Sequence, residues 1–469
     1  MSLAIPPPPH LCEIAWREPQ ACLAAWAGAE HVALLHSQGP ASARSRHSYL
    51  CVEPFQVLEA TDGVAMLDGR PIVGDPFEAL RRELARFPMR ADAAPVPFGG
   101  GVVGFLGYGL ARCLERLPAR HEGDPGVPDM SVAFYDVVLG FDHLERRCWL
   151  LSSGFPETDP VRRSARATAR ATAVAHRLDT ATPADDTAMP AVAWRPDLDR
   201  AAYVAMVERA IEYIRAGDIF QANLTARHVA PRPPGLQATT VLRALCAHNP
   251  APFAALLQCG PGLAIVSASP ERFLRLDGAG RIETRPIKGT RPRHADPAID
   301  DALRRELADS DKDRAENLMI VDLMRNDLGR VARIGSVRVP VFCEVESFAA
   351  VHQLVSAVEA TLRPGLTAID LLRATFPGGS VTGAPKPRAM EVIDELEVSA
   401  RGPYCGAIAW IGFDGAMDSS IVIRTLVLTR ERIVAQAGGA ITADSDPDAE
   451  YEEMLTKLRP LLAAFGPPP

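Results

Sequence analysis

The chain has 469 residues, of which 47% are hydrophobic and 23% charged, and a formal net charge of −8. That balance belongs to an ordinary soluble globular chain of two to three domains or one large mixed unit; it excludes bulk disorder and a general nucleic-acid footprint. An acidic protein that handles an anion must therefore concentrate positive charge locally, through a metal ion or a few aimed Arg and Lys side chains.

Residues 1–10 are proline-rich and lack the basic, apolar, small-residue order of a secretory signal, and no apolar run reaches the roughly 18 residues of a membrane helix. The nine cysteines are scattered, without CxxC or Cys/His ligand spacing, which suits free thiols in a reducing compartment. The expectation is a cytoplasmic protein with no membrane and no nucleic-acid partner. From residue 33 to about 153 the pattern is strand-like, with strands at 48–57, 101–105, 132–139 and 147–151 and a helix at 76–87. Residues 162–190 turn to Ala, Thr, Arg and Asp with little apolar periodicity and read as an exposed helix or loop leading to a linker. The chain thus divides into a leading region (10–155), a variable linker (156–196) and a second region (197–462). In the last of these, 197–217 is helical, 253–259, 264–266 and 273–276 are strands, 300–328 is helical and 336–345 extended. A helix at 367–374 leads into the glycine-rich 376–386, strands 405–413 and 419–428 flank the Asp414-Gly415 turn, and a final helix starts near Pro447 with Ser445 or Asp446 as cap. Strands without regular βαβ alternation predict an α+β fold with largely antiparallel pairing.

Candidate chemistry starts at Pro286-Ile287-Lys288-Gly289-Thr290, where a lysine ends a half-buried strand pattern between residues that fix the backbone. It reads as a surface lysine at a strand end or as an aimed one. Glu450 and Glu453 share a face of the final helix, as Asp313 and Glu316 share one of the earlier helix; each pair is a solvated acidic face or part of a site for a hard divalent cation. The glycine-rich 376–386 is no P-loop, because Gly383 is followed by Ala384 and Pro385 before Lys386; it is a plain loop or an anion cradle with Lys386 adding charge. His352 is either a satisfied core histidine or an acid–base group, and Glu271 is either the partner of Arg272 or a functional acid. Arg424, placed inside an apolar strand, requires an anionic partner, and a substrate carboxylate qualifies.

Ser269-Pro-Glu-Arg-Phe273, the 286–290 run, Glu316-Asn-Leu-Met-Ile-Val-Asp-Leu-Met-Arg-Asn-Asp327, the 376–386 loop, Asp418-Ser-Ser-Ile-Val-Ile-Arg-Thr425 and Ala443-Asp-Ser-Asp-Pro447 occur in that order. Together they closely resemble the chorismate-utilising enzymes, over roughly 197–462 for the catalytic part and more loosely over 10–155. The resemblance implies two large, mostly antiparallel sheets packed together with helices outside. It also implies the branch of the family that makes 4-amino-4-deoxychorismate for p-aminobenzoate and folate, a transferase activity. Lys288 carries that choice, since anthranilate-forming members typically have a small residue there; isochorismate-forming members have a base lysine where this chain has Gln221. The anthranilate branch is the alternative, and a non-catalytic chorismate-binding protein a remote one.

The family pattern further implies magnesium held by Glu316, Glu450 and Glu453, with Asp313 peripheral, Lys288 as nucleophile, Glu271 as proton donor and His352 near the ring carboxylate. Tyr404, Arg424 and Lys457, with backbone near Gly438 and Gly439, would anchor the enolpyruvyl carboxylate, and Thr290 and Lys386 complete the substrate-binding set. No glutaminase signature (Gly-x-Cys-x-Gly with a later His-x-Glu) is present, so a separate glutamine amidotransferase subunit is implied as ammonia source. Leu34-Leu-His-Ser37 resembles the family's tryptophan-site run, with His36 departing from the usual acidic residue.

Overall fold

A computed structural model describes residues 9–39, 45–90, 94–182, 189–348 and 351–466, so most of the proline-rich start lies outside the described residues. The strands assemble into two sheets of twelve strands each, and every registered pair is antiparallel. One face of the strand Gln221–Pro231 shows how the pattern builds a layer: Ala222, Leu224 and Ala226 alternate into the apolar cluster shared with helices Arg200–Arg215, Ala238–His248 and Pro447–Ala463. The second sheet is covered in the same way by Pro76–Leu84, Asp311–Gly329 and Ala368–Thr375. Between the sheets, Val103, Phe105, Ile408 and Trp410 meet Ile265, Val427 and Val434. The architecture is therefore α+β, two antiparallel sheets face to face with helices outside.

Neither sheet belongs to one region of the chain. In the first, Ala33–His36 pairs with Phe253–Gln258; in the second, Gly101–Leu106 pairs with Ala407–Gly412. The leading and second regions thus share sheets and cores. Residues 160–180 differ from the exposed stretch expected there. Pro160–Thr180 is a single helix, capped by Asp159, that buries Ala167, Ala171, Val174 and Leu178, small residues at helical spacing whose weak hydropathy hid the stripe. The helix expected at 300–328 is two, Pro297–Asp309 and Asp311–Gly329, with Ser310 ending one and capping the next.

The largest departure concerns 419–428, expected as one strand. Met417–Ile421 lies in the second sheet and Thr425–Leu428 in the first, and Arg424 between them has φ 52°, a left-handed conformation that no continuous strand contains. A parallel event occurs earlier, where Ala264–Ser269 of the first sheet runs through Glu271 into Arg272–Leu276 of the second. The two crossings are tied to each other: Ile421 N donates to Glu271 O (3.1 Å), Ala268 N to Arg424 O (3.0 Å), and Ser269 Oγ to Ile421 O (2.6 Å).

A buried ion pair fixes the loop beside these crossings. Arg401 and Glu397 side chains are 2% and 4% exposed and bond twice, at 2.9 and 2.6 Å. Arg401 also donates to the carbonyls of Val381 (2.8 Å) and Asn223 (2.5 Å) and stacks on Tyr108, while Glu397 accepts from Thr225 N and Oγ1. Replacing Arg401 by Met strands a buried carboxylate, and the expected cost is about 3–5 kcal/mol in urea unfolding. The double variant Arg401→Met/Glu397→Leu should recover part of it. A single-variant cost below about 1 kcal/mol would show that this pair does not fasten the loop.

Candidate active site

Lys288 owes its position to a bulge. Strand Ile287–Pro292 pairs with Val351–Thr361, and the register slips between Lys288 and Thr290, leaving Gly289 as the extra residue at φ 76°. A Cβ at Gly289 would also stand 2.7 Å from Asp313 Cγ and 2.8 Å from Leu307 Cδ1, so space and conformation both require glycine. Lys288 is half-buried opposite Leu354. Burial pushes its ammonium below the ordinary lysine value; Glu316, Glu271 and Glu453 oppose that shift, and Lys457 adds to it.

Glu271 sits in the first crossing and is buried. Burial pushes its carboxyl up to about 7, against the Ser380 hydroxyl and the charges of Lys288 and Lys457. Ser380 comes from the glycine-rich loop, which therefore reaches the site through a hydroxyl.

The final helix, Pro447–Ala463, is capped by Asp446, whose side chain accepts from Ala449 N. Its Glu450, Glu453 and Lys457 project from one face toward Gly438 and Gly439 of strand Arg432–Ile441. A Cβ at Gly439 would lie 2.8 Å from Glu450 Oε2, so the absence of a side chain there makes room for the carboxylate. Glu450 Oε1 accepts from Ser445 Oγ at 2.7 Å, while Oε2 is buried with no partner. Lys457 Nζ donates to Gly438 O at 2.8 Å and pairs with Glu453 at 2.7 Å. Burial and mutual repulsion raise Glu450; burial also raises Glu316, the effect of Lys288 and Lys312 notwithstanding. Glu453 is desolvated as well, yet Lys457, Lys312 and Lys288 outweigh this and hold it below the ordinary carboxylate value. Among the described residues, no three His, Cys, Asp or Glu side chains stand close enough together to enclose a metal ion as they are placed.

Arg424 fills the second crossing. It donates to Lys457 O at 2.8 Å, burial lowers its pKa, and Tyr404 and Glu453 are the groups that offset this. Among the described residues its guanidinium forms no ion pair with a carboxylate. Tyr404 is buried in the loop pinned by Arg401.

The structure therefore gathers Lys288, Glu271, Glu316, Glu450, Glu453, Lys457, Arg424, Tyr404, Gly438 and Gly439. Four others are bound to other groups or exposed. His352 is 1% exposed and spends both ring nitrogens, on Ser347 Oγ (2.7 Å) and Asp300 Oδ1 (3.1 Å). Lys386 is committed to Asp327 (2.6 Å) and Thr375 O (2.8 Å), as a lysine buried to that degree must be. Thr290 is exposed beyond the bulge, and Asp313 pairs with Arg291 at 3.3 Å. His36 lines a separate cavity of about 130 Å³ between the sheets, with His47, Tyr49, Trp410 and Arg275. It bonds Ser48 Oγ, and burial together with His143 pushes its pKa down to about 4. Sequence reasoning missed Ser380 and Lys312; the spacing of Lys312 four residues before Glu316 was the available signal for the second.

A family model described as chorismate binding enzyme matches residues 30–463. The chain belongs to the chorismate-binding enzymes. It is 44% identical to aminodeoxychorismate synthase component 1 of Klebsiella aerogenes, over 92% of both chains. It is also 44% identical to anthranilate synthase component 1 of Streptomyces coelicolor, over 84% of this chain and 78% of that one. The crystal structure of anthranilate synthase component I from Streptococcus pneumoniae TIGR4 superposes with a TM-score of 0.81 at 33% identity, covering 90% of this chain and 93% of that one.

The raised pKa of Glu271 makes a stability prediction. Its folded value near 7 exceeds the unfolded carboxyl value near 4.5, so the folded state holds a proton that the unfolded state has lost in that window. Its contribution is full below pH 4.5 and lost as pH rises through 7, by about 3 kcal/mol. Glu271→Gln should therefore lose less thermal stability than the parent between pH 5 and 7.5 by calorimetry. Equal losses would remove burial as the governing influence on this group.

Proposed function

We propose that this chorismate-binding enzyme converts chorismate and ammonia to 4-amino-4-deoxychorismate, in the route to p-aminobenzoate and folate. The observation that carries the reading is Lys288, held by the Gly289 bulge with its ammonium destabilised by burial, facing Glu271 whose carboxyl keeps its proton near neutrality. A nucleophilic amine must be neutral and a general acid protonated at the same pH, and the two environments push in those directions. Neutral Lys288 would attack ring carbon 2; both ring double bonds shift one position, and the C4–O bond breaks with Glu271 delivering its proton, so that water leaves. Ammonia then bonds to carbon 4, both double bonds return, the C2–N bond to Lys288 breaks, and the surplus proton passes back to Glu271.

Arg424, Tyr404 and Lys457, with the backbone at Gly438 and Gly439, would hold the enolpyruvyl carboxylate. Arg424 has the spare charge for it, lacking a carboxylate partner among the described residues. His352, within the ring-carboxylate role expected of it, would act from behind Ser347 and Asp300. Thr290 and Lys386 would contribute through the bulge and the glycine-rich loop. Glu316, Glu450 and Glu453 suit magnesium by donor chemistry, and the buried, unpartnered Glu450 Oε2 is a vacant acceptor of the kind such an ion takes. The ion would supply the positive charge that binds the ring carboxylate. Ammonia would come from a glutamine amidotransferase subunit, a reading supported by the "component 1" in the relatives' names, and a cytoplasmic setting fits the free cysteines. No helix of the described residues is long and apolar enough to cross a membrane. A regulatory amino acid such as tryptophan, if one binds, would take the cavity beside His36, where this chain departs from the family's acidic residue.

The second reading is anthranilate synthase component I, favoured by relatives of that name at equal identity. A non-catalytic binding role is opposed by the poised Lys288 and Glu271. Incubation with chorismate, Mg²⁺ and ammonium separates the three: p-aminobenzoate should form only after an aminodeoxychorismate lyase is added. Direct appearance of fluorescent anthranilate would transfer the assignment to the second reading, and no turnover to the third. With chorismate and Mg²⁺ but no ammonium, intact-mass and peptide analysis of the quenched protein should find an adduct on Lys288. An unmodified peptide under conditions that support turnover on ammonia would leave the lysine a positioning role only.

A further inference from the structure

Lys312 lies one turn before Glu316 on helix Asp311–Gly329, and its ammonium stands between two helices. It is 3.6 Å from Glu450 Oε1 on the final helix and 4.0 Å from Glu316 Oε1 on its own. The carboxylates are 3% and 13% exposed, whereas the Lys312 side chain is 53% exposed. Two desolvated carboxylates facing each other across a helix pair repel strongly unless a cation lies between them. Both contacts exceed hydrogen-bonding distance, in contrast with the 2.7 Å pair of Lys457 and Glu453. The ammonium is therefore held by charge rather than by a fixed bond, on a flexible stem that begins in solvent.

The wider arrangement agrees. Lys312 and Lys457 are the ammonium groups paired with Glu316, Glu450 and Glu453, and Lys288 is held below the ordinary lysine value by burial. A divalent ion entering among these carboxylates competes with the ammonium groups already there, and the most loosely held one leaves first. Lys457 is bound to Glu453 and Gly438 O, and Lys288 is half-buried behind its bulge. Only Lys312 combines loose contacts with an open path to water. We propose that Lys312 is the resident, displaceable cation of the carboxylate cluster, which keeps Glu316 and Glu450 together in the metal-free protein and swings out when magnesium enters. This rests on the magnesium reading given above.

The test uses the full chain freed of metal. Calorimetric titration with Mg²⁺, without substrate, should show Lys312→Met binding roughly tenfold or more tighter than the parent, because one competing charge is gone while the stem remains. Lys312→Arg should stay within about threefold of the parent. In the unaltered protein, acylation with a small anhydride followed by peptide mapping should label Lys312 several-fold faster once Mg²⁺ saturates the site. This second measurement decides the matter if the Met variant does not fold. Mg²⁺ binding that is unchanged or weaker in a folded Met variant, or a labelling rate indifferent to Mg²⁺, overturns the displacement. Absence of Mg²⁺ binding in every form overturns it together with the magnesium reading.

Discussion

The structure depends on two neighbouring chain segments changing sheets at the same place. In an antiparallel sandwich each strand gains its hydrogen bonds from neighbours in its own sheet, so a segment that leaves one sheet for the other strips its backbone of partners. Here the losses are shared. Glu271 O and Arg424 O accept from Ile421 N and Ala268 N, so each crossing satisfies the other. The residues at the break are then free of the strict up-and-down alternation of a strand, and their side chains enter the space where the sheets separate. That is why the acid Glu271 and the cation Arg424 come from mid-chain positions flanked by apolar residues rather than from loops at the rim.

The same constraint explains the charge economy of the site. Burial between the sheets pushes most ionisable groups of the cluster toward their neutral forms, Glu271, Glu316 and Glu450 upward and Lys288 and Arg424 downward, whereas neighbouring charges outweigh burial at Glu453 and Lys312 and favour the charged form. The cluster holds together because opposite shifts are interleaved. Lys457 bonds Glu453, Lys312 faces Glu450 and Glu316, and Lys288 sees Glu316 and Glu271. Arg401 and Glu397 stand outside this set and make no contact with the cleft lysines, so they fasten the Tyr404 loop without altering the balance.

Much of this was legible in the sequence, for reasons that differ by residue. Lys288 stood out because Gly289 and Pro286 punctuate a strand, and the bulge at Gly289 is the physical event behind that punctuation. Glu450, Glu453 and Lys457 were legible because helical spacing alone puts them on one face. Arg424 was noticed for the right cause, a charge among apolar residues, but in the wrong setting: the strand breaks at it, and no local pattern encodes a change of sheet. At Pro160–Thr180 a helix was among the readings, but its buried stripe was hidden because two of its positions are alanines, which carry little hydropathy. His352 and Lys386 look alike on paper, titratable groups in promising runs, and both turn out to be bound to protein partners that lie 52 and 59 residues away, Asp300 and Asp327. Pairings at that separation are set by tertiary packing, which periodicity does not reach.

Lys386 and Lys288 contrast as a lysine fixed by its partners and a lysine placed by the backbone. Both are pushed down by burial, and both have carboxylates nearby. Lys386 meets Asp327 at 2.6 Å and a carbonyl at 2.8 Å, contacts that fix its proton and its position. Among the described residues Lys288 has no hydrogen bond to a carboxylate, and Glu316, Glu271 and Glu453 act on it through space. A lysine held that way keeps its proton weakly, and the Gly289 bulge sets where its backbone stands. The backbone does the positioning that a salt bridge does for Lys386.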